Sequence, residues 1–294
     1  MNGQQMTINW YPGHMAKARR LLKEQIRRID LVIEICDARL PLSSRNPELD
    51  DIVSGKRHLL FMNKSDLADP AVSSEWIRYF REKGISAYPT DARKMHGKET
   101  IGLIDRATKE IVDKALEKGV RKTVRAMIVG IPNVGKSTLI NRLYGRSVTK
   151  IGDRPGVTKS NQWVRVSPYL ELLDTPGLLW PKLDDQVSAR RLCYIGSVSD
   201  EVVDLAELTI HLLEDLSSVV PDKMEERFHA DPSLKGIELL DAVCAGRGWL
   251  QKGAQPDYDR CCSVVLDEFR AGKLGRITLE KPTETNHTEK QDND

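Results

Sequence analysis

The sequence predicts an α/β fold: a mostly parallel sheet with helices on both faces, followed by a small all-α domain. Three observations carry that expectation. Short apolar runs alternate with amphipathic segments up to about residue 174. A strand pattern at Val124–Val129 runs into a glycine-rich loop and then a helix. After about Trp180 helical spacing continues while the strand signal stops.

Taken in order, Met15–Ile29 has apolar residues at helical spacing among Lys17, Arg19, Arg20, Lys23, Arg27 and Arg28. Leu31–Asp37 and His58–Asn63 are apolar runs ending in polar loops, as expected of strands buried on both faces. Pro41–Asp50 reads as a loop, Ser73–Lys83 as an amphipathic helix, Ala87–Thr90 as a short strand and Thr100–Lys118 as a longer helix. Val124–Val129 is a strand and Lys136–Leu143 the helix after it. Trp163–Val166 and Leu170–Leu173 pair as a hairpin around Ser167-Pro168. Glu201–Leu216, Lys235–Ala245 and Asp257–Ala271 are helical. The expected division is 1–180, 181–280 for the helical domain, and a disordered polar tail at 281–294, where two basic residues face four acidic ones.

At 294 residues the chain is long enough for two domains and a large core, so it needs neither disulfides nor a structural metal to fold. Five cysteines without a C-x-x-C pair argue for buried thiols in a reducing cytoplasm. No apolar run approaches a membrane span or a signal-peptide core, so a cytoplasmic protein without membrane contact is expected. The 45 Lys+Arg against 43 Asp+Glu leave a charge of only +2. Any basic, nucleic-acid-binding surface must therefore be local.

Gly130-Ile-Pro-Asn-Val-Gly135-Lys136-Ser137 matches G-x-x-x-x-G-K-[ST] in the strand–loop–helix context of a phosphate-binding loop. The glycines let backbone N–H groups and the helix N-terminus face an anion, Lys136 reaches the β- and γ-phosphates, and the Ser137 hydroxyl suits Mg²⁺. Asp174-Thr-Pro-Gly177 follows a strand 37 residues beyond Ser137, with Thr158 between them. Asp174 at a strand end suits Mg²⁺ through water, Thr158 a second hydroxyl to the metal, and the Gly177 N–H a γ-phosphate. Asn63-Lys64-Ser65-Asp66 closes an earlier strand. A carboxylate like Asp66 accepts from both guanine N1–H and the 2-amino group, which adenine lacks, so these loops together favour GTP over ATP.

The order is unusual. The base-reading loop lies 64 residues before Gly130, whereas ordinary GTPases carry the phosphate loop first. A circular permutation preserves the spatial site because chain ends lie near each other at the surface. The fold expected is thus a circularly permuted P-loop GTPase domain followed by the all-α domain.

This order, with Trp10-Tyr-Pro-Gly-His14-Met-Ala-Lys17-Ala and Asp37-Ala-Arg39-Leu-Pro-Leu-Ser-Ser-Arg-Asn-Pro47, resembles the bacterial ribosome biogenesis GTPase A family, the YlqF-type circularly permuted GTPases, from about residue 7 to 275. The resemblance implies a GTP-driven factor that binds the immature large (50S) ribosomal subunit, promotes a late step of its assembly and leaves after hydrolysis. It places the nucleotide on Asn63, Lys64, Ser65 and Asp66, on Asn133, Val134, Gly135, Lys136, Ser137 and Thr138, and on Gly177. A backbone contact to guanine falls near Thr90-Asp91-Ala92, where this chain departs from the commoner Ser-Ala wording. Mg²⁺ on Ser137, Thr158 and Asp174 is implied as cofactor, and Asn133 matches the asparagine linked to K⁺-assisted hydrolysis.

Leu178 stands where small GTPases carry the water-orienting glutamine, so basal hydrolysis is expected to be slow. His14 is the family's candidate catalytic residue, and docking on RNA or on the protein's own structure is its alternative role. Six Lys/Arg against two acids at 1–30, and six against one at 142–165, are the local basic clusters, and the resemblance makes rRNA their partner. A monomer is expected. Two other classes stay open: a slow, GTP-regulated rRNA-binding scaffold, which Leu178 favours, and a small-molecule kinase, which Asp66 disfavours.

Overall fold

The computed structural model describes residues 20, 22–145, 162–175 and 185–282. Among the described residues six strands form one sheet: β1 (Leu31–Asp37), β2 (Arg57–Asn63), β3 (Ser86–Pro89), β4 (Val124–Val129), β5 (Gln162–Ser167) and β6 (Leu170–Asp174). Their order is β3-β2-β1-β4-β6-β5, all parallel except the edge strand β5, which returns antiparallel on β6 as a hairpin. β1 is buried along its whole length, which is why it reads as an apolar run with no alternation.

Alternate residues of the central strands feed opposite faces. Leu31, Ile33, Ile35, Ala126 and Ile128 pack with Ile104 of α3 (Gly97–Leu116) and with Leu139 and Ile140 of α4 (Lys136–Tyr144). On the other face Val32, Met127 and Val129 meet Leu22 and Ile26 from a helical stretch at 22–26. Farther along that face, Cys36, Leu60 and Met62 pack on Trp76 and Phe80 of α2 (Pro70–Glu82). Asp69 starts α2 by accepting from the N–H groups of Ala71 and Val72, with Pro70 in the first turn. The expected 41–50 loop ends in one helical turn, α1 (Leu49–Ile52).

Glu34 interrupts the apolar face and is satisfied by Arg45 (2.9 and 2.7 Å) and by His58 Nε2 at 3.1 Å. Glu34, Asp50 and His58 could in principle share a metal, but the Arg45 guanidinium already bridges the two acids at 2.7 Å each.

From Gln186 onward the described chain is helical: α5 (Gln186–Tyr194), α6 (Leu205–Val219), α7 (Pro221–Phe228), α8 (Gly236–Gly246) and α9 (Tyr258–Ala271). Sequence reading missed α5 and α7, and merged the short 3₁₀ turn Asp200–Val202 with α6. Asp204 separates those two by accepting from Ala206 and Glu207 N–H as the cap of α6. All five cysteines are buried and unbridged. No helix among the described residues is long and apolar enough to cross a membrane.

Residues 277–280 leave the helices and run back along the sheet domain as a strap. Ile277 N–H donates to Leu67 O, Leu279 N–H to Arg39 O, and Trp76 Nε1 to Glu280 O, each at 2.9 Å. The Glu280 carboxylate is buried and accepts from the backbone N–H groups of Leu42 and Ser43 and from the Ser43 hydroxyl. The expected disordered tail lies outside the described residues from 283 on.

Candidate functional site

The phosphate-binding loop leaves the carboxyl end of β4 at the place where the strand order reverses, with β1 and β2 on one side and β6 on the other. Ligands of open α/β sheets bind at such a switch point. Gly130 (φ +152°) admits no side chain, since a Cβ there would lie 2.4 Å from Ile35 O. Asn133 turns left-handed (φ +63°) and its Nδ2 donates to Gly196 O at 2.5 Å, while Ser197 Oγ donates to Pro132 O at 2.7 Å. The loop therefore rests on the start of the helical part. Gly135 (φ +104°) ends it and opens α4, with Lys136, Ser137 and Thr138 in the first turn.

Lys136 is buried and its Nζ donates to Ile131 O at 2.8 Å. Asp174, at the end of β6 and paired in register with Ile128, is fully buried, and neither carboxylate oxygen has a hydrogen-bond partner among the described residues. Burial pushes the Asp174 carboxyl up to about 6 against the pull of Lys136. Burial also brings Lys136 down to about 8, opposed by Asp174. An orphaned buried carboxylate is costly, and two bare oxygens suit a hard cation with oxygen ligands. Thr175 Oγ1 donates to Ile128 O at 2.7 Å and anchors the segment just after Asp174.

β2 brings the second loop to the same edge. Asn63 is its keystone: Nδ2 donates to Val134 O at 2.6 Å and Oδ1 accepts from Ala92 N–H at 2.8 Å, so one amide joins phosphate loop, base loop and the 90–92 wall. Lys64 takes a left-handed backbone (φ +58°) and its Nζ lies 3.0 Å from Asp37 Oδ2. Ser65 N–H donates to Thr90 O at 3.0 Å. Asp66 accepts from Arg93 Nη2 at 2.5 Å through Oδ2, while its Oδ1 is buried without a hydrogen-bond partner among the described residues.

The structure thus gathers Asn63, Lys64, Ser65, Asp66, Thr90 and Asp91 beside Asn133, Val134, Gly135, Lys136, Ser137, Thr138 and Asp174. His14, Thr158, Gly177 and Leu178 lie outside the described residues. Sequence reading did not assign roles to Asp37 and Arg39. Asp37 holds Lys64 on one side and the Arg39 fork on the other, at 2.9 and 2.8 Å. Arg39 in turn donates to Phe269 O at 2.9 Å and stacks on the Phe269 ring at 5.0 Å. Burial opposes it, but Arg39 and then Lys64 hold the Asp37 carboxyl far below the usual range. The base loop is therefore wired to the last helix through two buried ions.

Comparison with known proteins agrees with this architecture. The family model "50S ribosome-binding GTPase" matches residues 125–235, beginning at β4 and leaving the base loop outside it, as a permuted order requires. Ribosome biogenesis GTPase A of Bacillus cereus is 46% identical over 282 residues, spanning 95% of both chains. The chain belongs to the ribosome biogenesis GTPase A family. The Thermotoga maritima member is 30% identical over 278 residues, covering 94% of this chain and 95% of that one. Among solved structures, GNP-bound YlqF from T. maritima superposes with a TM-score of 0.66 at 26% identity, covering 90% of this GTPase and 98% of that chain. The GDP-bound form gives 0.65 at 24%, covering 90% and 100%. The protein is thus a GTP hydrolase of ribosome biogenesis, a circularly permuted P-loop domain followed by a helical part.

Proposed function

We propose that this GTPase binds the immature 50S subunit in its GTP form, promotes a late step of assembly, and is released after hydrolysis. The observation that carries the nucleotide reading is Asn63, whose amide ties the base loop to Val134 of the phosphate loop at 2.6 Å. That bond sets Asp66 and Lys136 to work on one nucleotide. Asp66 accepts from the guanine edge, with Thr90 and Asp91 forming the adjoining wall. Asn133 through Thr138 wrap the phosphates, and Lys136 gives up its bond to Ile131 O to meet them. Gly177 closes the γ-phosphate side.

Mg²⁺, which GTPases of this kind use with GTP, would be held by Ser137, Asp174 and Thr158, neutralising charge on the phosphates. The two unpartnered oxygens of Asp174 support that assignment. K⁺ near Asn133 and water orientation by His14 complete the reading, because Leu178 cannot position water. Residues 1–180 form the GTPase domain. The helical domain, 181–280, and the basic clusters at 1–30 and 142–165 meet rRNA. The protein acts as a monomer in the cytoplasm, without membrane contact.

A roughly 100-fold difference in affinity between GTP and GDP states, about 2.7 kcal/mol, makes release effective. Binding through phosphate contacts weakens steeply with salt, and a flat response counts against them. The test is steady-state GTP hydrolysis in potassium buffer, alone and with 50S, 30S or tRNA. Stimulation by 50S alone is expected. Tight GTP binding with no stimulation by 50S or its precursors would instead favour the slow scaffold that Leu178 also suits.

A further inference from the structure

The wall of the base pocket holds two acids, Asp66 and Asp91, and a cation, Arg93, to which the reading above gives no role. Arg93 Nη2 donates to Asp66 Oδ2 at 2.5 Å, and its Nε and backbone N–H donate to Asp91 Oδ1 at 3.4 and 3.0 Å. Each acid keeps its second oxygen, Asp66 Oδ1 and Asp91 Oδ2, buried without a hydrogen-bond partner among the described residues. Lys94 Nζ stands 3.6 Å from Asp91 as a looser countercharge.

An ionised carboxylate only accepts hydrogen bonds. Asp91 therefore cannot steady Asp66 as a hydroxyl at position 91 could, and two such acids in one pocket wall repel each other. A guanidinium offers five donors in a rigid fork, enough to serve both acids at once. Each carboxylate oxygen has two acceptor sites, so Oδ2 can hold Arg93 and still face a base, with Oδ1 beside it. Asp66 and Arg93 are 27 residues apart, and the segment bearing Arg93 is itself fixed, since Ala92 N–H is bonded to Asn63 Oδ1 and Arg142 Nε to Met95 O.

We propose that Arg93 is a positioning residue for guanine recognition, bridging Asp66 to Asp91 so that the base-reading carboxylate is held facing the pocket. The proposal rests on Asp66 being the guanine acceptor. Guanine presents two donors to that carboxylate, whereas hypoxanthine lacks the 2-amino group and presents one. A carboxylate held in place rewards the second donor, and a loose one rewards it less.

The experiment is equilibrium binding of GDP and IDP to the full-length protein, as wild type, Arg93→Ala and the double variant Asp91→Ser/Arg93→Ala. Wild type is expected to prefer GDP over IDP by at least tenfold. Arg93→Ala is expected to lose about tenfold in GDP affinity, the scale of one charge-assisted hydrogen bond, and less for IDP, so the ratio shrinks. The double variant removes the opposing acid and supplies a hydroxyl donor, and is expected to recover most of the ratio. Arg93 is 63% exposed, so its removal is expected to leave the fold intact, which melting curves of each variant check. The proposal is overturned if Arg93→Ala binds GDP as tightly as wild type or more tightly, if GDP and IDP weaken by one common factor, or if the double variant fails to recover. A wild type that does not prefer GDP overturns the reading of Asp66 before any variant is compared, and this proposal with it.

Discussion

Replacing Gly135 with alanine puts a methyl group into space that Asn63 already fills. A Cβ at Gly135 would lie 2.3 Å from Asn63 Nδ2, and the backbone there has φ +104°. Two costs follow. Left-handed strain for a residue with a Cβ is about 1–2 kcal/mol. Pushing the Asn63 amide off Val134 O leaves a buried bond broken, about 1–3 kcal/mol more. Urea unfolding of the nucleotide-free protein should therefore show Gly135→Ala losing roughly 2–5 kcal/mol. In an Asn63→Ala background the steric part vanishes and only the strain of about 1–2 kcal/mol should remain. An equal loss in both backgrounds would refute the argument that Asn63 and Gly135 are coupled by contact. GDP affinity should follow the same non-additive pattern.

Asp37→Asn removes the charge that meets buried Arg39 and half-buried Lys64 and should cost about 3–5 kcal/mol at pH 7 by urea unfolding. Because the folded-state pKa of Asp37 is depressed, its contribution is present above the unfolded value near 4 and fades as pH falls below it, so wild type and variant should converge in acid. Asp174→Asn should act in the opposite sense. The folded protein holds the Asp174 proton more tightly than the unfolded chain, so ionisation costs stability as pH rises through about 6, and the variant should melt higher at pH 7.5 in EDTA. It should also lose at least about 100-fold in GTP turnover; a variant that is both less stable and still active would overturn the role given to this carboxylate. Ending the chain after Arg276 removes the strap bonds to Leu67, Arg39 and Trp76 and should lower stability by at least about 3 kcal/mol, and a drop below about 1 kcal/mol would show the strap to be ornamental.

The fold was legible in the sequence because parallel strands buried on both faces leave unbroken apolar runs, and β1 and β4 fall on the expected residues. The two candidate loops could be singled out in the sequence by their residue types and spacing, and the structure brings them together through Asn63. Helix α5 escaped because Asp185 caps a segment with two arginines whose buried side is only Ala189, Leu192, Cys193 and Tyr194. The strap escaped because Ile277–Glu280 has neither periodicity nor length, and its partners lie over two hundred residues away. Arg93 was equally hidden: nothing in Ala92-Arg93-Lys94 announces Asp66, and only the fold of the 90–95 wall brings them together.

The strap also bears on the order in which the molecule is completed. Arg39 follows the first strand directly, yet its fork closes on Phe269, 230 residues later, and Ser43 waits for Glu280 across 237. A growing chain can pair β1 with β2 early, but Asp37 and Arg39 then sit together without the carbonyls and ring that cover them. Closing so large a loop adds little entropy cost beyond a smaller one, because that cost grows only with the logarithm of length. It does fix the sequence of events on a growing chain, since Phe269 and Glu280 are made more than two hundred residues after Arg39 and Ser43. Synthesis of the final helix and strap is therefore the step that seals the charged seam beneath the base loop, and a chain interrupted shortly before it would carry both nucleotide loops on an unfinished floor.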